Sequence, residues 1–143
     1  MIMKLETHLA VKEAAIDGTM LVNPDQMEAF LGDIRDLAQE VFIVVTLNAK
    51  NLAIQRHLVS IGTVNSALVH PRECFRPAIL DGASAVVLGH NHPSGDATPS
   101  ADDIKITRQL IQAGRHLGIK VMDHIVIGNT ALSLRETGLC EFN

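Results

Sequence analysis

The 143-residue chain has no tryptophan or tyrosine, only four phenylalanines and only two cysteines. So few aromatic rings supply little of the stacking surface with which proteins hold single-stranded nucleic acid. Cys74 and Cys140 form no Cys-x-x-Cys pair, which argues against a thiolate metal site and favours reduced cysteines over a disulfide scaffold. We expect both thiols to be inert structural residues.

Basic residues are also scarce, because 12 lysines and arginines face 16 acidic residues and the formal net charge is −4. Without a basic run the chain lacks the electrostatic footprint of sequence-independent DNA binding, so we expect no direct nucleic-acid binding. Apolar runs such as 41–45 are far shorter than the roughly 20 residues that span a bilayer. Charged residues interrupt segment 1–17, which therefore has no signal-peptide stretch. The sequence predicts a cytoplasmic protein.

Alternating helical and strand patterns predict an α/β fold. Asn23-Pro24-Asp25-Gln26 is typical of a capped helix start, and apolar residues recur at helical spacing to residue 38. Further helices are expected over 72–80, where Pro77 should kink or split the helix, and after Ser100. Five segments have the composition of strands: 41–47, 52–61, 83–88, 119–127 and 131–134. We therefore expect one domain, a mixed sheet flanked by helices.

Two histidines one residue apart are the strongest chemical signal in the chain. On extended backbone, His90 and His92 project from the same side, so both imidazoles can reach one metal ion. Asp96, Asp102 and Asp103 are all close enough in sequence to supply a third ligand, and spacing alone leaves this choice open. Two imidazoles, one carboxylate and a fourth position for water are typical of catalytic zinc.

The loop that carries these histidines is expected to be irregular but firmly held. Gly89 should lead the chain out of the preceding strand, and Pro93, Gly95 and Pro99 disfavour regular structure. Ser100 can cap the following helix through its hydroxyl. Ligands fixed in this way lose little conformational entropy when metal binds.

The wider pattern resembles the JAB/MPN (JAMM) zinc metalloproteases. Their motif is His-x-His-Pro, six residues, then Ser-x-x-Asp, found here as His90, His92, Pro93, Ser100 and Asp103. The string His-Asn-His-Pro-Ser-Gly-Asp is similar to the RadC branch, together with Gly62-Thr63, Pro71-Arg72-Glu73 and Asp123-His124-Ile125-Val126-Ile127-Gly128. The resemblance covers about residues 40–143, leaving 1–39 as an N-terminal segment with the first helix, and implies a JAB/MPN-like fold with cytidine-deaminase-like layering.

The resemblance also implies a site and a reaction. His90, His92 and Asp103 would bind Zn²⁺, Ser100 would stabilise the oxyanion, and Glu40 would act as general base and acid in hydrolysing a peptide or isopeptide bond of a peptide or protein substrate. Longer RadC relatives carry an N-terminal helical module associated with DNA binding, for which we expect little room in the 39 residues before Glu40.

Each of these residues also has a structural interpretation. Ser100 and Asp103 could form a plain helix cap, which is compatible with catalysis. Without the family resemblance, Glu40 would be interpreted as a solvated residue at the end of a helix. His124 is either a partner of a ligand or a structural histidine entering a buried strand, and we leave it outside the catalytic set. Arg72 is equally a site residue or a solvated charge.

The alternative function is a non-catalytic binding module of the same fold, serving DNA repair or processing or a protein assembly. An HNH nuclease is excluded because its three residues are spread along a ββα unit, whereas here they are consecutive. A zinc nucleoside deaminase is excluded because Pro-Cys-x-x-Cys is missing.

Overall fold

A five-stranded mixed sheet organises the computed structural model, which describes residues 18–64 and 68–143. Its strands lie in the spatial order β2-β1-β3-β4-β5. β3 and β4 are parallel, and the other neighbouring pairs are antiparallel. Their bounds are β1 Val41–Leu47, β2 Ala53–Ile61, β3 Ala85–Asn91, β4 Lys120–Ile127 and β5 Ala131–Ser133. The predicted α/β class with a mixed sheet is confirmed.

Helices cover both faces of this sheet. They are α1 Pro24–Leu31, α2 Pro71–Leu80, α3 Ala101–Leu117 and α4 Leu134–Thr137, and a 3-10 helix, Gly32–Asp36, continues α1. One hydrophobic cluster includes Phe42 and Leu88 and lies on the α3 side, while another includes Ile43 and Val87 and lies on the α1 side. Every residue of β1 is buried, as its apolar composition predicted. None of the helices in the described ranges is long and apolar enough to cross a membrane.

The start of α1 follows the sequence prediction, but its end does not. The Asn23 side chain accepts from the amide of Gln26, and the Gln26 side chain reaches back to the amide of Val22. These bonds satisfy amides that a helix start leaves without partners. The α-helix gives way to the 3-10 helix at Gly32, well before residue 38, because glycine and the following Asp33 are weak helix formers.

The prediction that Pro77 splits its helix is wrong, since α2 is one helix from Pro71 to Leu80. The kink at Pro77 stays a prediction. Proline removes the hydrogen bond to the carbonyl four residues earlier, here that of Glu73. Glu73 is exposed, so water can bind that carbonyl instead. His70 caps the helix start by accepting from the amide of Arg72.

β3 is longer than predicted, because Gly89 and His90 lie inside the strand and not in the loop after it. They pair with Ile43 and Phe42 of β1. A Cβ atom on residue 89 would lie 2.7 Å from Leu31 Cδ1, so glycine allows α1 to pack closely on the sheet. The sequence signal of Gly89 therefore reflected a close helix–sheet contact and not a strand end.

Both cysteines are buried and free, as expected for structural residues. Burial, with a smaller contribution from the charge of Glu73, raises the pKa of the Cys74 thiol to about 12. Burial also raises the pKa of Cys140. Neither thiol is poised to form the reactive thiolate.

Candidate metal centre

His90, His92 and Asp103 converge where β3 ends and α3 begins. His90 Nε2 lies 3.0 Å from His92 Nε2, and the Asp103 carboxylate oxygens lie 3.3 Å from His90 Nε2 and 3.1 Å from His92 Nε2. Tetrahedral zinc with bonds of about 2.0 to 2.2 Å separates its ligand atoms by about 3.3 to 3.6 Å. The three distances lie within about 0.3 Å of that range, so these side chains are close enough together to share a single divalent ion.

The structure also decides which aspartate joins the histidines. Among the described residues, Asp103 alone forms a three-ligand group with His90 and His92. The carboxylate of Asp96 instead accepts from the amide and hydroxyl of Thr98, at 3.0 and 2.7 Å. Asp102 is exposed and lines the neighbouring cleft.

A capping box at the start of α3 orients the Asp103 carboxylate. Ser100 Oγ accepts from the Asp103 amide at 3.0 Å, and Asp103 Oδ2 accepts from the Ser100 amide at 2.9 Å. This box satisfies two free amides of the helix start. The helix-cap interpretation of Ser100 and Asp103 is therefore confirmed, and the same contacts fix the orientation of the candidate ligand.

The loop that follows His92 is seated on the turn between β4 and β5. The His92 amide donates to Ile127 O at 2.8 Å, and the Asn129 amide donates to Gly95 O at 2.7 Å. A Cβ atom on residue 128 would lie 2.4 Å from Gly95 O, so Gly128 is needed for this contact. His92 Nδ1 lies 2.7 Å from the carbonyl of Asp96. Because a carbonyl only accepts, Nδ1 carries the proton and Nε2 turns toward the ligand group.

Behind His90 lies a chain of buried hydrogen bonds. His90 Nδ1 contacts His124 Nε2 at 2.7 Å, and His124 Nδ1 contacts Thr107 Oγ1 at 2.6 Å. Burial and the charge of His90 lower the pKa of His124 well below its ordinary 6.5. His124, set apart in the sequence analysis, therefore lies directly against a candidate ligand. Thr107 was missed, although its position one turn after Asp103 on a helix was a usable signal.

Contacts within the ligand group lower the pKa of Asp103 and raise the pKa of His92. Burial alone would raise the pKa of Asp103, but hydrogen bonds from His90 and His92 outweigh it and lower that pKa well below 3.8. The hydrogen bond to Asp103 raises the pKa of His92 above 6.5, against the opposing effect of burial. The carboxylate is thus held ionised, and His92 retains a proton more readily than a free histidine.

Glu40 lies at the head of β1, beside a cleft of about 530 Å³ whose lining includes Glu40, His92, Ser100 and Asp103. Its Oε2 accepts from the Val64 amide at 3.1 Å, and its carbonyl accepts from the Gly62 amide at 2.8 Å. The structure therefore brings both predicted catalytic side chains, Glu40 and Ser100, to the cleft beside the three candidate ligands.

The sequence analysis gives Asn91 no role, because on extended backbone its side chain points away from the neighbouring His90 and His92. It is fully buried, its Oδ1 accepts from the Val41 amide at 2.7 Å, and its Nδ2 donates to Gln39 O at 3.0 Å. These two groups flank Glu40. Asn91 therefore links the strand of the ligands to the backbone on both sides of Glu40.

Arg72 is not part of this group. It lies on α2, where its side chain contacts that of the neighbouring Glu73 at 3.3 Å and both are largely exposed. It borders a separate apolar groove that includes Phe75 and Leu117. Its interpretation as a solvated charge fits this placement.

Comparison with known proteins supports the resemblance carried by these residues. The family model described as RadC-like JAB domain matches residues 21–139. The chain belongs to this family. The matched region of this RadC-like JAB domain begins before α1 and contains Glu40 and all three candidate ligands.

Similar curated proteins carry the name UPF0758 protein. One from Desulforamulus reducens is 53% identical over 108 residues, covering 75% of this chain and 48% of the relative. One from Symbiobacterium thermophilum is 48% identical over 136 residues, covering 92% and 58%. One from Caldanaerobacter subterraneus is 47% identical over 119 residues, covering 82% and 51%. The chain thus spans about half the length of these relatives.

Proposed function

We propose that this RadC-like JAB domain is a zinc-dependent metallopeptidase that hydrolyses a peptide or isopeptide bond. The observation that carries the proposal is the convergence of His90, His92 and Asp103 beside a cleft that also contains Glu40. Three protein ligands next to open space are typical of catalytic zinc, whereas structural zinc has four protein ligands.

His90, His92 and Asp103 would hold the ion. Bound zinc would act as a Lewis acid and lower the pKa of water from about 15.7 toward about 7. Imidazole nitrogens and a carboxylate suit zinc, and the burial of His90 and Asp103 keeps these ligands ordered.

Glu40 is proposed as the general base and acid. One of its carboxylate oxygens is held by the Val64 amide, and within residues 18–64 and 68–143 no hydrogen bond occupies the other, which is proposed to transfer the proton. It would take a proton from the attacking water and deliver it to the leaving amine. Ser100 Oγ accepts from Asp103, so its own proton remains available to stabilise the developing oxyanion.

The charge of the cleft supports a peptide over a nucleic acid as substrate. The described residues that line it include Glu40, Asp96, Asp102 and Asp103 and neither lysine nor arginine. A phosphodiester would meet these like charges with no lysine or arginine beside the metal to bind its other oxygens. An amide bond is neutral and carries no such penalty.

The test combines metal analysis with a peptidase screen of peptide and isopeptide substrates. We expect about one zinc per chain, and we expect Glu40→Gln to retain zinc while turnover falls about 10²- to 10⁴-fold. Glu73→Gln, which removes an exposed carboxylate on α2, is the control and should match wild type. Equal activity of Glu40→Gln and wild type would rule out Glu40 as the base. Salt-sensitive DNA binding without turnover would favour the binding module.

A further inference from the structure

Thr107 and His124 are fully buried behind His90 and are not among the residues that line the cleft. We infer that this pair fixes His90 in the tautomer that presents the Nε2 lone pair to the metal, which makes Thr107 a positioning residue two hydrogen bonds from His90. The inference rests on the proposed zinc site and adds the residues that prepare one of its ligands.

The main-chain carbonyl of Asp103, at one end of this chain of hydrogen bonds, fixes which atom donates in each of them. Asp103 O is a main-chain carbonyl and only accepts, so the Thr107 hydroxyl donates its single proton there, at 2.7 Å. Thr107 Oγ1 must then accept from His124 Nδ1, at 2.6 Å. With its proton on Nδ1, neutral His124 has a lone pair on Nε2.

That lone pair faces His90 Nδ1 at 2.7 Å, so Nδ1 of His90 carries the proton and donates. Neutral His90 is therefore left with its lone pair on Nε2, the atom that faces Asp103 and His92. The opposite tautomer would place two lone pairs against each other between the histidines and an N–H where the metal binds.

A charged His124 would reverse this order, but its surroundings oppose the charge. The ring is 0% exposed, and among the described residues its nitrogens contact only the Thr107 hydroxyl and the His90 ring. An imidazolium buried without a carboxylate in hydrogen-bond contact is strongly disfavoured. Metal-binding histidines in general gain orientation and basicity from the partner of their second nitrogen.

One residue anchors both ends of this arrangement. The Asp103 side chain is a candidate ligand, and its main-chain carbonyl receives the last hydrogen bond of the chain from Thr107, one helical turn later. α3 therefore supplies the candidate ligand Asp103 directly, and through Thr107 and His124 of β4 it also orients the candidate ligand His90. The placement of both groups on one rigid helix keeps their relative geometry fixed.

The experiment compares two variants. Thr107→Val removes the hydroxyl at similar side-chain volume, and Thr107→Ser keeps the hydroxyl. Thr46→Val is the matched control, because Thr46 is also 0% exposed and its hydroxyl donates to Asp81 at 2.8 Å, near the opposite end of β1. Zinc affinity of the full chain is measured by chelator competition. Long-range ¹H–¹⁵N spectra of the metal-free protein report which nitrogen of His90 carries the proton.

We expect Thr107→Val to weaken zinc binding about 10- to 100-fold, and Thr107→Ser and Thr46→Val to stay close to wild type. We also expect a proton on His90 Nδ1 in the wild type and mixed tautomers in Thr107→Val. A purely structural role of Thr107 would leave the tautomer unchanged.

Wild-type zinc affinity in Thr107→Val, or a wild-type His90 protonated on Nε2, would overturn the inference. A wild-type chain that binds no zinc would instead overturn the proposed function. The tautomer of His90 in that metal-free protein would still decide the inference by itself, and it would do so even if Thr107→Val failed to fold.

Discussion

The two halves of the cleft are built differently. In the ligand half, Asp103 is held by the reciprocal capping box with Ser100, and His90 is held by the buried side chains of His124 and Thr107. Main-chain amides hold Glu40 in the other half, and its side chain is only half-buried. The difference suits the proposed chemistry, because ligands must be fixed before an ion arrives, whereas a proton carrier must move between two partners.

The strongest test of the ligand half removes the charge of Asp103. Asp103→Asn keeps the size of the side chain and its ability to cap α3. Zinc affinity should nevertheless fall by more than the roughly 10- to 100-fold typical of residues behind the ligands. Asp102→Asn, on the same helical turn but outside the three-ligand group, should bind zinc like wild type. Equal losses in both variants would mean that general charge, and not ligation, sets the affinity.

The next test disturbs the turn on which the histidine loop is seated. Gly128→Ala would bring a Cβ atom against Gly95 O, at 2.4 Å before any adjustment. We expect a loss of about 1 to 3 kcal/mol in the free energy of unfolding, together with weaker zinc binding through His92. Gly32→Ala is the control, since its Cβ would meet only Arg35 Nη1, at 3.7 Å. Denaturant unfolding and zinc titration of both variants check this.

The half of the cleft that holds Glu40 is tested by Asn91→Leu, which removes the hydrogen bonds of Asn91 to Gln39 O and to the Val41 amide. The buried Val41 amide and the partly buried Gln39 carbonyl lose their partners, so we expect a loss of about 1 to 3 kcal/mol in the free energy of unfolding. Turnover should fall because Glu40 loses its backbone support, while zinc content stays near wild type. Asn91→Asp keeps an acceptor for Val41 and should lose less stability. Loss of zinc in Asn91→Leu would mean that the two halves are not separable.

The smallest expected effect is a pH dependence that differs between metal-free and zinc-bound protein. The raised pKa of His92 stabilises the metal-free fold below pH 6.5, and this contribution is lost as pH rises through the folded value. The lowered pKa of Asp103 stabilises it above pH 3.8, and this contribution is lost as pH falls through its folded value. Both contributions are present between these values.

Zinc must displace the proton of His92, so its affinity should decrease as pH falls, beginning above pH 6.5. One displaced proton corresponds to about a tenfold change in affinity per pH unit. Thermal unfolding with and without zinc across this range is the measurement. Parallel pH profiles in the two forms would contradict the pairing of His92 with Asp103.

Much of the fold was readable because its signals are local. The Asn23 cap and the apolar run of β1 depend on neighbours in sequence, and both were predicted. The predicted helix split at Pro77 and the predicted strand end at Gly89 were wrong for a common reason. Each was interpreted from its own backbone preference, whereas its effect depended on solvent at Glu73 in one case and on Leu31 packing in the other.

The spacing of His90, His92, Ser100 and Asp103 by itself determined that a metal centre was plausible, because ligands close in sequence need only a short loop to meet. Spacing left Asp96, Asp102 and Asp103 open, and the family resemblance singled out Asp103 without a physical reason. The tertiary structure supplies that reason, because the helix cap turns the Asp103 carboxylate toward the histidines. It also brought Asn91 to the backbone around Glu40 and His124 to His90, contacts that span 50 and 34 residues. Such contacts arise when strands pair and helices pack, which no local pattern records.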